Sequence, residues 1–441
     1  MQKTKLIRYT KNIAILCLVF LCAFQTNALW FEGSAPPNIF GGLFAARGAD
    51  ATTDEAVDML TAPFRIITAA KGGVYNINYF GAATFAQRQA GENAITSALR
   101  STRELAEYMQ PDNTIMIFEY AVPIPSEVFA LRFNHGFSID YINAVYFTAP
   151  QHENQVAAVI FANRKTGEML TYLLDDDDII NEILLNVDIP NQLHYERRGD
   201  TFIPRWDGLF HLYSTAVAVY NIDTITASAI QNAMLPFFDR PSAVRSRRLM
   251  SVFGDVELPV VRVYADYAER REIDFFTGQR IIKYTNINFL AGETLHSFID
   301  SFALALNVIN RDPLINNDIF LSNFTQRTYG PYEGFTFYFD VITGNFPVTI
   351  NLEDAALTNY IQVTVSRNRL EYMRYAVSFE VSTSISNAVN DFNFFNENKI
   401  ELAGQPVDFY KPREFSFGYI ADGSGEMKLG WFTPAVSLPA S

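Results

Sequence analysis

The chain has 441 residues, of which 49% are hydrophobic and 19% are charged, and its formal net charge is −14. These proportions exclude intrinsic disorder as the main state, and two cysteines are too few for a disulfide scaffold or a cysteine-rich zinc module. The acidic balance argues against a nucleic-acid-binding protein, which needs basic surface to meet phosphates. The 38 Phe and 22 Tyr favour sheet-rich structure.

The N-terminus combines a basic tail with an apolar segment. Residues 1–11 carry four basic side chains and no acid, and the apolar stretch that follows runs to Phe31. Its length, about 19 residues, gives roughly 28 Å of helix, which is enough to cross a bilayer. We predict a cytoplasmic tail at 1–11 and a transmembrane anchor at 12–31. Trp30 and Phe31 are the expected membrane-interface anchors, with the rest of the chain outside the cell.

Two alternatives to a retained anchor stay open. The strictly apolar core at 13–24 has only about 12 residues, which suits a signal peptide cleaved near 26–28. A lipoprotein attached at Cys22 is the other alternative, although bulky Leu21 precedes it where a small residue is expected. Both cysteines lie in this segment, so the exported part has no thiol to oxidise.

Composition divides the rest of the chain into a linker and three regions. Residues 32–50 are rich in Gly, Pro and Ala and predict a flexible tether. We expect an N-terminal α/β lobe at 51–190, a middle α+β lobe at 191–315 and a C-terminal β-rich lobe at 316–441. The predicted fold class is therefore α+β and multi-lobed, with largely antiparallel sheets and packed helices, preceded by one N-terminal transmembrane helix.

Hydrophobic periodicity places the main elements within these regions. Apolar residues at helical spacing predict one helix from Ile95 to Met109, before Pro111, and another from Leu295 to Ile309, before Pro313. Strands are predicted at 114–120, 139–147, 156–161, 169–173, 214–220, 260–264 and 272–276. In the third region, apolar residues alternate with polar ones at 335–341, 361–365 and 373–379, which is typical of antiparallel strands with one polar face.

No catalytic or metal-binding motif stands out. The five histidines never pair at the spacing of metal ligands, and the four aspartates at 175–178 are consecutive rather than alternating, so we predict a helix start there and not a calcium loop. Lys-Thr-Gly at 165–167 matches one element of penicillin-recognising enzymes, but the Ser-x-x-Lys pair is missing, and a hairpin turn is predicted. The basic run at 245–248 is interpreted as a solvated loop, with a partner contact as the alternative.

Three segments carry a resemblance to a known family. The first is the basic tail with its single apolar segment, which ends in Leu29 and Trp30. The second is YEGFTF at 332–337 followed by GNFPV at 344–348, and the third is FSFGYI at 415–420 followed by LGWFTPA at 429–435. Together they resemble the YycH family of membrane-anchored regulators from Gram-positive bacteria.

The resemblance implies a role without catalysis and without a cofactor or metal. Members of this family bind the sensor histidine kinase of the essential cell-wall two-component system, called WalK or YycG, usually with a YycI-type partner, and contact is attributed largely to transmembrane helices. Small and polar side chains favour helix association in lipid. The candidates for this contact are Ala14, Ala23, Gln25, Thr26 and Asn27. The alternative is that the three polar residues lie in the headgroup zone or in a cleavage region.

We therefore expect a single-pass protein of the cell membrane with an extracytoplasmic body. It would regulate a sensor kinase by protein contact through its transmembrane helix and its body, would not be an enzyme, and would bind no nucleic acid. Two other classes stay open: an exported module that binds wall glycan or protein, and a hydrolase with a pair of carboxylates that meet only in the folded chain.

Overall fold

A computed structural model describes most of the chain from Thr52 to Phe432. The described residues are 52–69, 73–79, 84–101, 104–105, 114–150, 156–174, 181, 183, 194–198, 201–204, 213–219, 227–238, 243–264, 271–286, 297–315, 317–329, 332–343, 346–350, 357–366, 369–386, 401–402, 405–406, 416–421 and 426–432. The predicted tail, anchor and tether lie outside them. Within them, no helix is long and apolar enough to cross a membrane.

Helices are a minor part of the fold. Those in the described part of the chain are α1 (Thr53–Thr61), α2 (Phe85–Ser101), α3 (Ser126–Phe133), α4 (Ala227–Ala233) and α5 (Phe298–Asn310), with a 3₁₀ turn at Leu235–Phe237. Helix α1 begins with a capping box, because the Thr52 hydroxyl accepts from the Glu55 amide while the Glu55 carboxylate accepts from the Thr52 amide. Ser297 caps α5 by accepting from the amide of Asp300.

The first sheet is formed by the first nine described strands. They are β1 (Arg65–Ala69), β2 (Val74–Tyr79), β3 (Glu104–Leu105), β4 (Thr114–Pro125), β5 (Tyr141–Thr148), β6 (Ala157–Asn163), β7 (Glu168–Leu174), β8 (His194–Arg198) and β9 (Thr201–Pro204). Their order across the sheet is β3-β7-β6-β5-β4-β1-β2-β8-β9, with antiparallel pairing.

The second sheet takes strands from both the middle and the C-terminal region. Its strands begin with β10 (Tyr213–Val219), β11 (Arg245–Phe253), β12 (Val256–Tyr264), β13 (Arg271–Phe276), β14 (Ile281–Asn286), β15 (Asp318–Tyr329), β16 (Tyr332–Thr343), β17 (Phe346–Ile350), β18 (Ile361–Ser366), β19 (Arg369–Tyr375) and β20 (Ser378–Ser386). A separate pair follows, β21 (Glu401–Leu402) with β22 (Gln405–Pro406). Strands β23 (Ser416–Ala421) and β24 (Glu426–Phe432) return to the sheet.

The order across this second sheet is β11-β12-β13-β14-β19-β18-β16-β17-β23-β24-β10-β20, and β15 pairs with β16 off that path. Pairing is antiparallel except between β17 and β23, which are parallel. The coarse prediction of an α+β fold with antiparallel sheets is confirmed. The boundaries of the three lobes stay predictions, although strands from 191–315 and 316–441 share one sheet.

Close packing joins a helix to each sheet. Helix α2 packs on β6 and β7, and its Gly91 lies so close to Phe118 of β4 that a Cβ there would collide with the ring. Helix α5 packs across β16, β18 and β19. The Phe302 ring lies 5.3 Å from Phe337 and 5.8 Å from Phe339, measured between ring centroids.

Helix α1 and an aromatic seam connect the two sheets. Helix α1 contacts both α3 and α5. The Phe64 ring, just before β1, lies 4.4 Å from Phe320 of β15 and 5.2 Å from Tyr79 of β2. Tyr79 in turn lies 6.3 Å from Phe346 of β17, which is 5.8 Å from Tyr419 of β23. Aromatic pairs at these distances stabilise beyond the area that they bury.

The structure corrects three predictions about individual elements. The helix predicted from Ile95 to Met109 ends at Ser101, and Leu105 lies in β3, because pairing with Thr171 of β7 draws the chain into the sheet. The run at 245–248 is strand rather than loop, because β11 pairs with β12 along its whole length. The turn at 165–167 is confirmed, with Gly167 at φ +82° between β6 and β7.

The third correction concerns which face of β19 is buried. The alternation at 373–379 predicted Met373 and Tyr375 on the core face of one strand. In the structure β19 ends at Tyr375, which is buried as predicted. Leu370, Tyr372 and Arg374 are buried as well, whereas Met373 is only half-buried. A buried arginine reverses the apparent pattern, because periodicity arguments count every charged residue as exposed.

Arg374 is buried because a carboxylate meets it. Asp312, just after α5, is fully enclosed; its oxygens lie 2.5 Å from Nε and 3.1 Å from Nη2 of Arg374. Tyr372 donates a further hydrogen bond of 2.8 Å to Asp312. Burial alone would lower the pKa of Arg374, but the charge of Asp312, the neighbouring tyrosines Tyr372 and Tyr360 and the hydrogen bond to Asp312 together outweigh it and raise the pKa. The pair fixes the end of α5 to the middle of the second sheet.

Replacing Arg374 with Met should therefore lower the free energy of unfolding by about 3–5 kcal/mol, because the Asp312 charge is left buried and unpaired. The matched control is Arg369→Met in the same strand. The Arg369 side chain is 55% exposed and pairs with Glu371, so its loss should cost less than about 1 kcal/mol. Urea unfolding measures both changes, and equal losses would contradict the assigned role of the buried pair.

A second charged cluster lies in the first sheet. Glu119 of β4 forms ion pairs with Arg65 of β1 and with Arg164 in the turn after β6, and Arg164 also donates to the Tyr146 hydroxyl at 2.7 Å. Burial by itself would raise the pKa of the Glu119 carboxyl, but the two arginines outweigh it and lower the pKa from 4.5 to about 2. The cluster ties together β1, β4, β5 and the turn.

The low pKa of Glu119 predicts acid sensitivity. Because the folded pKa lies below the unfolded one, the carboxylate contributes about 3 kcal/mol above pH 4.5, and this contribution is lost as the pH falls towards 2. Glu119→Gln should lower the free energy of unfolding by that amount at pH 7 and by about half of it at pH 3. Chemical denaturation at several pH values tests this, with exposed Glu168→Gln as the control. If the difference in free energy of unfolding between wild type and Glu119→Gln stayed constant with pH, the low pKa assigned to Glu119 would be contradicted.

Candidate interaction surface

The described residues contain no group of three or more His, Cys, Asp or Glu side chains placed to hold a metal ion. An apolar cavity lies where α1, β4 and β15 meet, lined by residues such as Leu60, Phe64, Tyr120 and Phe320. Its volume is about 30 Å³, which is room for one or two water molecules and not for an organic ligand. This cavity belongs to the packing between the sheets.

The hairpin formed by β11 and β12 is the most distinctive surface of the described chain. Its strands pair from Arg245 with Tyr264 to Phe253 with Val256, which leaves a two-residue turn at Gly254 and Asp255. Gly254 has φ +59°, a conformation that tight hairpin turns require and that glycine adopts without strain. Strand β11 ends the order of the second sheet, so in the described chain it has a partner on one side only.

The hairpin is held at its base on one face and near its turn on the other. On one face, the Ser246 hydroxyl donates to the Gln231 side chain of α4 at 2.9 Å, and Gln231 donates to the Val244 carbonyl oxygen at 2.9 Å. On the other face, Phe253 packs on Phe276 of β13 with 5.0 Å between ring centroids. The hairpin is thus a fixed extension of the sheet.

A charged network under the hairpin adds to this support. Arg262 of β12 donates to both carboxylate oxygens of Asp274 at 2.6 Å and also forms an ion pair with Glu272. Ser251 of β11 donates to the same Asp274 at 2.7 Å. The hydrogen bond to Asp274 raises the pKa of Arg262 more than burial lowers it, so this pKa lies above its ordinary value. The network links three neighbouring strands.

Beyond this support, the hairpin exposes apolar side chains. Met250, Val252 and Val256 are each between 54% and 57% exposed. Because side chains alternate along a strand, Met250 and Val252 lie on one face, next to Arg248, and Val256 lies on the other face opposite Phe253. Single exposed apolar residues such as Val256 are ordinary, but Met250 and Val252 lie two residues apart on one face and form a small patch.

The same strand carries three exposed arginines, Arg245, Arg247 and Arg248. No ion pair joins them to a carboxylate in the described part of the chain, in contrast to Arg262. The Arg247 guanidinium lies over the Tyr264 ring, 5.2 Å from its centroid, which holds it on the surface of the hairpin. A basic edge on a chain with net charge −14 is suited to an acidic partner.

The residues predicted to contact a partner helix, Ala14, Ala23, Gln25, Thr26 and Asn27, lie outside the described residues. So do the interface anchors Trp30 and Phe31. Their roles stay predictions.

The sequence did point to the basic run at 245–248, and a partner contact was the alternative interpretation. It did not identify Met250, Val252 and Val256, because no element was predicted between 249 and 259. The available signal was the short glycine turn at 254–255, which is typical of a hairpin. The turn does not tell whether the strands of that hairpin are covered or exposed.

The fold and this surface together define a class: an α+β protein of two largely antiparallel sheets, whose edge strand β11 exposes basic and apolar side chains. No protein-family model matches the chain, and no curated protein matches it in sequence. Its structure is similar to the crystal structure of YycH from Bacillus subtilis, with a TM-score of 0.51 over 88% of this chain and 99% of that chain, at 10% sequence identity. The likeness therefore supports a YycH-like fold.

The exposure of the patch predicts that it contributes little to folding. Met250→Asp and Val252→Asp should each lower the free energy of unfolding by no more than about 1 kcal/mol, because more than half of each side chain is already in water. Val261→Asp on the adjacent strand, where the side chain is 5% exposed, should cost several kcal/mol. Denaturant titration of the three variants measures this. A large loss at Met250 or Val252 would show that the patch is covered in the native protein.

Proposed function

We propose that the chain is a non-catalytic extracytoplasmic regulator of a sensor histidine kinase of the WalK or YycG type, which controls cell-wall metabolism. It acts by protein contact, through a transmembrane helix at 12–31 and through its external body. A YycI-type protein is its partner in the complex. The observation that carries the proposal is the similarity of fold to YycH over 88% of this chain.

Two features of the described chain support a protein-contact role. The cavity between the sheets is too small for an organic ligand, whereas the hairpin β11–β12 offers exposed apolar and basic side chains on a rigid support. The sequence adds an N-terminal basic and apolar segment that is suited to anchoring such a body outside the cell. In this proposal Trp30 and Phe31 lie at the outer interface, and the contact with the kinase helix includes Gln25, Thr26 and Asn27.

The partner contact in the membrane depends on specific side chains. Polar residues within lipid are costly unless a neighbouring helix satisfies them, and small residues allow helices to approach closely. A helix that only anchors the body would need neither polar nor small residues within lipid. The body would then set the position of the anchor relative to the external part of the kinase.

Replacing residues 12–31 with an unrelated transmembrane helix should abolish co-purification of the full chain with the kinase from membranes and remove the regulation of kinase output. A second variant, Gln25→Leu/Thr26→Leu/Asn27→Leu, keeps the anchor hydrophobic and should weaken co-purification at least tenfold. The matched control is Ile15→Leu/Val19→Leu, which changes no small or polar residue. Unchanged regulation after the complete replacement would contradict contact through the helix.

A further inference from the structure

The open edge of β11 has a chemistry that specifies what can bind there. We infer that β11 takes up an extended segment of a partner protein as an added strand, and that this segment is acidic at one end and apolar at the other. The inference rests on the proposed function only in requiring a protein partner, and its test uses no kinase. The two can therefore fail separately.

The backbone of an edge strand is suited to pairing with another strand. An edge strand presents unpaired N–H and C=O groups along its outer side, and an added strand satisfies them. Strand β11 has nine residues, about 30 Å at roughly 3.3 Å per residue. It needs no rearrangement to act as a template, because Gln231, Asp274 and Phe276 already hold it from both faces.

The second argument is the order of side chains along the edge. Arg245, Arg247 and Arg248 occupy the first half of β11, and Leu249, Met250 and Val252 follow in the second half. Cross-strand neighbours interact directly, so opposite charges and apolar pairs are favoured and like charges are not. The added strand must therefore place acids opposite the arginines and apolar residues opposite Leu249, Met250 and Val252.

The charges around the edge favour a partner protein over an anionic lipid surface or a second copy of this chain. The tip of the hairpin carries Asp255 and Glu257, both exposed, which would meet an anionic lipid surface if Val252 and Val256 entered it. The β11 edge of a second copy carries the same arginines, so two such edges offer no acid to one another. Neither a lipid surface nor a second β11 edge offers the acidic and apolar strand that the edge favours. Exposed charges also protect edge strands from aggregation. The arginines alone would serve that role, which does not explain why Met250 and Val252 are exposed beside them.

The test uses the full chain in detergent and a fluorescent peptide, Thr-Val-Thr-Val-Val-Glu-Glu-Thr-Glu, capped at both ends. Antiparallel pairing places its acids opposite Arg245, Arg247 and Arg248; the reversed sequence tests parallel pairing. We expect saturable binding by anisotropy in one of the two directions. Binding should weaken at least tenfold with Arg247→Glu/Arg248→Glu and stay unchanged with Arg100→Glu/Lys165→Glu, which removes two exposed basic residues elsewhere.

Two altered peptides separate strand addition from charge attraction alone. In the first, every second backbone nitrogen is methylated, and two forms are made, one with the odd and one with the even positions methylated; at least one form should not bind. In the second, the glutamates are replaced with lysines, which should also abolish binding. Equal binding of all N-methylated forms, or no binding of the parent peptide in either direction at 1 mM, would overturn the inference. So would vesicles of anionic lipid that bind the full chain through Val252, or a dimer that Arg247→Glu/Arg248→Glu dissociates.

Discussion

Two opposite charges enclosed in the protein, Asp312 and Arg374, set the arrangement of the second sheet. Their side chains are at most 1% exposed, so neither can meet water and each depends on the other. Because Asp312 follows α5 and Arg374 lies in β19, the pair determines where the helix ends over the sheet. The phenylalanines of α5 and β16 pack around that constraint, as Phe302 does on Phe337 and Phe339.

Charged clusters link neighbouring strands at two other places. Glu119 joins Arg65 and Arg164 in the first sheet, and Asp274 joins Arg262 and Ser251 under the hairpin. In each case one carboxylate serves partners from different strands, which links their positions to one another. These clusters make the sheets rigid supports, and the aromatic seam from Phe64 to Tyr419 joins one support to the other. The exposed edge of β11 is thus carried by a firmly supported sheet.

Sequence reasoning reached the fold class because alternation and helical spacing are local. It identified Phe335 to Val341 and Ile361 to Val365 correctly as strands with a buried face. It missed that Arg374 of β19 is buried and Met373 only half-buried, because the burial of Arg374 depends on Asp312, which is 62 residues away in the chain. It also extended a helix beyond Ser101, because the pairing of β3 with β7 is equally non-local. The exposed patch could not be found for the same reason: whether Met250 lies in a core depends on what packs against it.

Hydrogen exchange along the full chain tests the account most directly. The account combines a core fixed by a buried ion pair with an edge strand that is ordered but open. It predicts that the amides of α5, β18 and β19 exchange only on global unfolding, whereas every second amide of β11 exchanges rapidly and those bonded to β12 exchange slowly. Uniformly slow exchange along β11 in the isolated protein, or exchange of α5 as fast as that of the hairpin, would contradict it.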